Sequence, residues 1–122
     1  MIKMSTDLRA EPDDVGLEGP GNVGMDKAVD VLRLLADRTR LEILVLLSGG
    51  EQAVGAIAAE VGRPVPGVSQ HLAKLRSGRL VTTRREGTTI FYSLSSEHVE
   101  ALVTNVIQHS EHMTYEVPPH HR

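Results

Sequence analysis

Histidine is concentrated at one end of the chain. Of six histidines in 122 residues, five lie at position 98 or beyond: His98, His109, His112, His120 and His121. Cysteine is absent, so any metal site must be built from imidazole nitrogen and carboxylate oxygen. The clustering predicts a metal site near the C-terminus. The alternative is that these histidines form a solvated edge of a helix.

The spacing of three of these histidines indicates how such a site would be assembled. The segment from His98 to His112 has the apolar spacing of one amphipathic helix. At about 100° and 1.5 Å per residue, His98 and His109 lie ~20° apart around the axis but ~16 Å apart along it, and His112 lies ~40° from His98. Two donors to one ion are only about 4 Å apart. One helix therefore cannot close the site.

An antiparallel copy of the same helix from a second subunit can close it, because it brings the start of one helix beside the end of the other. The spacing thus predicts a two-fold homodimer with two equivalent sites between the subunits. The predicted seam of that dimer is the apolar set Val99, Leu102, Val103, Val106 and Ile107.

A basic block lies in the middle of the chain, although the formal net charge is -3. No acidic residue occurs between Val61 and Arg85, and attraction to a polyanion depends on local charge. The block therefore predicts contacts to the phosphates of DNA. Its members are Arg63, Lys74, Arg76, Arg79, Arg84 and Arg85.

The elements that must position these residues follow from the apolar periodicity. Residues 1–24 are acidic and rich in glycine and proline, which predicts a disordered N-terminal arm. Helical spacing predicts helices over residues 25–36, 38–47 and 53–61. Gly62-Arg63-Pro64 separates the last of these from a further helix with Val68, Leu72 and Leu75 on its apolar face. Such a pair is a helix-turn-helix, whose second helix suits a major groove.

The period then drops to two over residues 80–85 and 89–94, which predicts a β-hairpin with Arg84 and Arg85 near its tip. A last helix is predicted to run to about residue 112, followed by a flexible tail over residues 113–122. The predicted fold class is mainly α with a β-hairpin wing. It is a winged helix-turn-helix over residues 25–112 with an additional C-terminal dimerisation helix.

Two runs of sequence, LADRTRLEILVLL and VSQHLAKLRSGRLVTTRREGTTIFYSL, resemble the ArsR/SmtB family of bacterial metal-responsive repressors. The resemblance covers residues 27–112 and implies a homodimer that binds double-stranded operator DNA. Ser69 and Gln70 match the family's base-reading positions, and glutamine can pair with adenine in the major groove. For His71, packing or capping is the alternative to a DNA contact. The other predicted DNA-binding residues are Pro66, Gly67, Lys74, Arg84 and Arg85.

The C-terminal histidines are most similar to those of the family's nickel- and cobalt-sensing subgroup. That subgroup has a histidine at the helix start, a Glu-His pair at its end and a His-His pair on the tail. Here these positions are His98, Glu111, His112, His120 and His121, and His109 is either a further ligand or a donor beside the site. Zinc-sensing members begin the helix with Asp-x-His, whereas this chain has Ser96-Glu97-His98. The resemblance implies Ni(II) or Co(II) as effector, with Zn(II) as the alternative.

These patterns predict a cytoplasmic DNA-binding protein, and the family resemblance implies a repressor that metal binding releases from its operator. A winged-helix regulator without metal control and a metal-buffering protein are the alternatives. An enzyme is not expected, because no nucleophile stands at a plausible spacing from a base and no glycine-rich phosphate loop is present. We therefore predict no catalytic residues and no small-molecule substrate. No apolar run approaches the ~20 residues that span a bilayer, so no membrane partner is expected.

Overall fold

The structure is a computed structural model that describes residues 21–116, with side chains as far as residue 113. The order of helices, hairpin and final helix is that of a winged helix-turn-helix with an additional C-terminal helix, as the sequence predicts. Among residues 21–116, no helix is both long and apolar enough to cross a membrane. In chain order the elements are α1 (Gly21–Leu35), α2 (Arg38–Leu47), β1 (Gln52–Ala53), α3 (Val54–Val61), α4 (Val65–Ser77), β2 (Val81–Glu86), β3 (Thr89–Leu94) and α5 (Glu97–Glu116).

The chain divides after Arg33 into two compact units. The larger part of α1 belongs to the first unit. Its last two residues, Leu34 and Leu35, belong to the second unit, which contains all the later elements.

The core of the second unit is formed where α2, α3 and α4 bring their apolar faces together. Asp37 begins α2 as its N-cap, and its carboxylate accepts a hydrogen bond of 2.9 Å from the backbone N–H of Arg40. Ile43, Leu44 and Leu47 of α2 are buried, whereas Val45 is 40% exposed, so only one side of α2 faces the core. The side chains that are almost completely buried are Ile43, Leu44, Ile57, Val68, Leu72, Leu75, Val81 and Val103.

Glycines permit two of the tight connections. Gly62 ends α3 in the left-handed conformation, with φ 69°, and Pro64 precedes α4. Gly78 ends α4 against Leu34, where an added Cβ would lie 2.2 Å from Leu34 Cδ1. A larger residue at position 78 would therefore require the Leu34 side chain to shift.

The hairpin belongs to a three-stranded antiparallel sheet in the order β1-β3-β2. Glu86 pairs with Thr89, so the turn consists of Gly87 and Thr88, and Gly87 has φ 65°. This is the short turn that right-twisted hairpins favour. The two-residue strand β1 was not predicted, because so short a segment shows no period of its own.

Two predicted boundaries are corrected by the structure. We predicted a disordered arm through residue 24, but α1 begins at Gly21, and its glycines at 21 and 24 lie in the first turn, where helical hydrogen bonding is incomplete. We predicted that the last helix ends near residue 112, but α5 continues to Glu116. The next proline is Pro118, which disfavours helix only from residue 117. The predictions for residues 1–20 and 117–122 lie outside the described residues.

Candidate nucleic-acid interface and metal-ligand helix

The helix α4 has a buried side and a polar exposed side. Val68, Leu72 and Leu75 face the core at the spacing of one helical face. The opposite side carries five of the predicted DNA-binding residues, all exposed: Pro66, Gly67, Ser69, Gln70 and Lys74. Short polar side chains at the start of such a helix are the groups that can reach base edges in a major groove.

His71, the sixth predicted DNA-binding residue of α4, is turned towards the start of α2. Its Nδ1 lies 3.9 Å from Asp37 Oδ2 and 3.5 Å from Arg40 Nη1, and its side chain is only 28% exposed. The hydrogen bond from the backbone of Arg40, together with the nearby Arg40 and His71, lowers the pKa of Asp37 below its ordinary value. This geometry favours the packing role that we predicted as the alternative for His71.

A cleft of about 420 Å³ separates α4 from the hairpin. Ser69, Ala73 and Arg76 line it from α4 at the spacing of one helical stripe, and Tyr92 lines it from β3. The guanidinium of Arg76 and the hydroxyls of Ser69 and Tyr92 are groups that bind phosphate oxygens. This cleft therefore has the hydrogen-bond donors expected of a binding site for the phosphate backbone of DNA.

The two arginines near the wing tip lie on opposite faces of the sheet. Side chains alternate along a strand, so Arg85 shares its face with Val81 and Thr83. Thr83 pairs with Tyr92, which lines the cleft. Arg84 pairs with Phe91 on the other face, and the Cζ atom of Arg84 lies 4.8 Å from the centre of that ring. Arg85 therefore lies on the cleft side of the hairpin, and Arg84 lies on the side away from the cleft.

Arg84 is also paired with two carboxylates. Its Nε and Nη2 donate to Glu51 Oε1 at 3.1 Å and Oε2 at 2.5 Å, and its Nη1 donates to Glu86 Oε1 at 3.1 Å. These hydrogen bonds, that to Glu51 above all, raise the pKa of Arg84 and lower the pKa of Glu51. No sequence pattern marks this pairing, because Glu51 and Arg84 are far apart in the chain.

The helix α5 divides into two faces. Val103 is buried and Val99 and Ile107 are half-buried, and Val103 and Ile107 face Val45 of α2 across a cavity of about 220 Å³. Two of the five residues of the predicted dimer seam, Val103 and Ile107, are therefore turned towards the subunit's own core, and Leu102 is half-buried as Val99 is. The other face carries Val106 and Met113, which are 36% and 57% exposed.

The predicted metal ligands of α5 are His98, His109, Glu111 and His112, and all four are exposed. At about 100° per residue, the three histidines lie within the same arc of ~120° as Val106 and Met113, while Glu111 lies ~100° from His112. Among residues 21–116, no three His, Cys, Asp or Glu side chains come together closely enough to hold a metal ion. His120 and His121 lie outside the described residues.

Three residues that shape this surface were not singled out from the sequence. Arg76 was seen only as part of the basic block, and its spacing from Ser69 is the signal that could have placed it beside the cleft. Tyr92 appeared only as a hairpin residue. Glu51 gave no signal, since its importance depends on the pairing of β1 with β3.

Comparison with known proteins agrees with this architecture. The model of the arsR family of bacterial regulatory proteins matches residues 37–83. The HTH-type transcriptional regulator KmtR of Mycobacterium tuberculosis is 53% identical over 94 residues, which cover 77% of this chain and 72% of that protein. The transcriptional activator HlyU of Vibrio cholerae is 43% identical over 77 residues, which cover 63% of this chain and 71% of that protein.

Solved structures show the same fold. The homodimeric winged helix-turn-helix DNA-binding domain of Mb0332 from Mycobacterium bovis, a possible ArsR-family transcriptional regulator, superposes with a TM-score of 0.73 at 38% identity. The match covers 79% of this chain and 90% of that one. The chain belongs to the ArsR family of bacterial regulatory proteins. It is a winged helix-turn-helix transcriptional regulator and not an enzyme.

Proposed function

We propose that the protein is a homodimeric, metal-responsive repressor that Ni²⁺ or Co²⁺ releases from its operator. The observation that carries the proposal is the arc of α5 on which three histidines accompany exposed apolar side chains. Exposed Val106 and Met113 favour pairing with a second apolar surface, and imidazoles in the same arc would then lie at the contact between subunits.

The DNA-binding half of the proposal assigns base reading to Ser69 and Gln70 at the exposed start of α4. Lys74, Arg76 and Arg85 are the cations that would contact phosphates, with Tyr92 donating a hydrogen bond from the wing. Pro66 and Gly67 offer no polar side chain, so few base contacts are expected per subunit. Because such binding releases counterions, operator affinity should fall steeply as salt is raised.

The metal-binding half rests on the chemistry of the donors. Imidazole and carboxylate groups without thiolate suit Ni²⁺ and Co²⁺, which accept more than four nitrogen and oxygen ligands, and also permit Zn²⁺. His98 of one subunit and Glu111 and His112 of the other would hold the ion, joined by His120 and His121, with His109 beside them. When bound, the ion supplies a cross-link between the two subunits.

Release of the operator requires that the metal bind more tightly to the free protein than to the DNA complex. The coupling is reciprocal, so operator DNA must weaken metal binding by the same factor. We take the direction of this effect, release and not co-repression, from the family resemblance.

The test is fluorescence anisotropy with a labelled duplex of the protein's own promoter, titrated with Ni²⁺, Co²⁺ and Zn²⁺ in turn. Nickel or cobalt should dissociate the wild-type complex and should fail to dissociate His98→Ala. Replacement of His120 and His121 by alanine should abolish the Ni²⁺ response and leave any Zn²⁺ response. Gln108→Ala, on α5 outside the histidine arc, is the matched control and should respond as the wild type does. A wild-type complex that is indifferent to all three ions would refute metal control.

A winged-helix regulator without metal control is the second candidate. Within the described part of one chain no three potential ligands come together, which is compatible with this candidate as well as with sites shared between subunits. Isothermal titration of the protein with each ion decides between the two. Binding no tighter than micromolar supports the second candidate, and tighter binding supports the first.

A further inference from the structure

The ion pair between Arg84 and Glu51 ties the two edges of the sheet together. The strand β3 is central, β2 lies on one side of it and β1 on the other. Arg84 belongs to β2, whereas Glu51 immediately precedes β1. The guanidinium passes over Phe91 of β3 and meets the carboxylate of Glu51 with two parallel hydrogen bonds. The wing is thereby fastened to the loop that leads into α3.

The same contacts make Arg84 a poor phosphate ligand. Two parallel N–H···O bonds are the geometry in which a guanidinium binds a carboxylate most specifically. Glu86 occupies Nη1 as well, so one positive charge is surrounded by two negative ones. The side chain also lies on the face of the sheet away from the cleft. Arg85, on the cleft side, has no carboxylate within ion-pair distance among the contacts of the described residues.

We propose that Arg84 is a positioning residue that holds the wing through Glu51, while Arg85 makes the phosphate contact. This inference rests on the proposed DNA-binding function. The tie across the sheet fixes the hairpin relative to the helix-turn-helix, and so it fixes where Arg85 can reach. The rival model is that Arg84 leaves Glu51 on binding and contacts a phosphate itself.

Charge-preserving and charge-removing substitutions separate the two models. Arg84→Lys keeps the charge but loses the two-pronged geometry. Glu51→Gln removes the tie. Glu86→Gln is the matched control, because it also removes a negative charge beside the Arg84 guanidinium, but Glu86 lies on β2, the strand of Arg84 itself. Affinity for the labelled promoter duplex is measured by anisotropy over a range of salt concentrations.

If Arg84 positions the wing, Arg84→Lys and Glu51→Gln should each weaken binding about threefold to fivefold, as expected for loss of an exposed ion pair. Glu86→Gln should stay within about twofold of the wild type. Arg85→Ala should reduce the magnitude of the slope of log affinity against log salt by about 1. In the Arg85→Ala background, Arg84→Lys should add no further loss. Tighter binding by Glu51→Gln, or wild-type affinity of Arg84→Lys, would overturn the proposal.

Hydrogen exchange in the absence of DNA tests the tie separately from the DNA-binding function. Amide exchange in β2 and β3 should be faster in Glu51→Gln and Arg84→Lys than in the wild type and Glu86→Gln. Unchanged exchange in Glu51→Gln would refute the tie even if the protein binds DNA. Failure of the wild type to bind promoter DNA would refute the proposed function and leave the exchange result to decide the tie.

Discussion

His71 of α4 lies beside Asp37 at the start of α2, with the imidazole Nδ1 3.9 Å from the carboxylate Oδ2. Asp37 also caps α2 by accepting from the backbone N–H of Arg40, whose side chain donates to the carbonyl of Leu34 at 2.9 Å. The carboxylate that caps α2 therefore also lies beside the imidazole of α4. The end of α1, the start of α2 and α4 meet at this corner.

Loss of the cap at Asp37 should destabilise the protein in a pH-dependent way. Asp37→Ala should lower the free energy of unfolding by about 1 kcal/mol at pH 7. The folded state lowers the pKa of Asp37, so its stabilisation is complete above the ordinary value of 3.8 and is lost as the pH falls below it. Urea denaturation at pH 7 and pH 3, at one fixed protein concentration, should show the gap between wild type and variant shrinking at pH 3. Asp26→Ala on α1 is the control, and an equal loss in both variants would contradict the assignment.

Truncation of a core residue in α4 should be far more costly than truncation of an exposed one. Leu72 is 0% exposed, so Leu72→Ala should lower the free energy of unfolding by about 2–5 kcal/mol through lost burial and the resulting cavity. Val65, at the start of the same helix, is 44% exposed, and Val65→Ala should change the free energy of unfolding by only about 0.5 kcal/mol. Urea denaturation measures both. Similar losses would mean that α4 is not anchored through Leu72.

Gln70 and Lys74 should affect DNA binding in different ways. Gln70→Ala should weaken binding to the promoter duplex and reduce its preference over a scrambled duplex, since a base contact contributes about 1–3 kcal/mol of discrimination. Lys74→Ala should weaken binding to both duplexes alike and reduce the salt slope by about 1. Anisotropy with the two duplexes distinguishes these effects. A uniform loss in Gln70→Ala would show that Gln70 contacts only the backbone.

Mixing two defective variants should restore one of the two metal sites in each mixed dimer if each site is shared between subunits. In a heterodimer of His98→Ala with His112→Ala, one site lacks both histidines and the other retains both. After complete exchange of equal amounts, half of the dimers are mixed, so Ni²⁺ titration of the sample should recover about a quarter of the wild-type stoichiometry, as two-fold symmetry requires. If each site lay within one chain, mixing would restore nothing.

Much of the fold could be predicted from the sequence because its signals are local. The apolar stripe Val68, Leu72 and Leu75 and the breaker Gly62-Arg63-Pro64 each determine a neighbouring element, and both are confirmed. The predicted end of α5 near residue 112 was wrong, because no glycine or proline interrupts the sequence between residues 97 and 116.

The candidate site was predictable in composition but not in arrangement. Residue types and spacing identified α4, the wing and the histidines of α5. They did not separate Arg84 from Arg85, because neighbouring arginines look alike until the strand alternation and the partner Glu51 are known. Nor did they reveal that Val103 faces its own core, since the apolar residues of α5 cover more than one face.

The strand order β1-β3-β2 also bears on how the protein folds. Pairing of Gln52 with Tyr92 closes a long chain segment that contains α3, α4 and β2. Closing so long a segment is entropically costly and slow compared with forming the local hairpin. The hairpin is therefore expected to form first and recruit β1 afterwards. A polypeptide truncated before residue 89 would lack β3. Pairing with β1 could then no longer close the segment that contains α3 and α4.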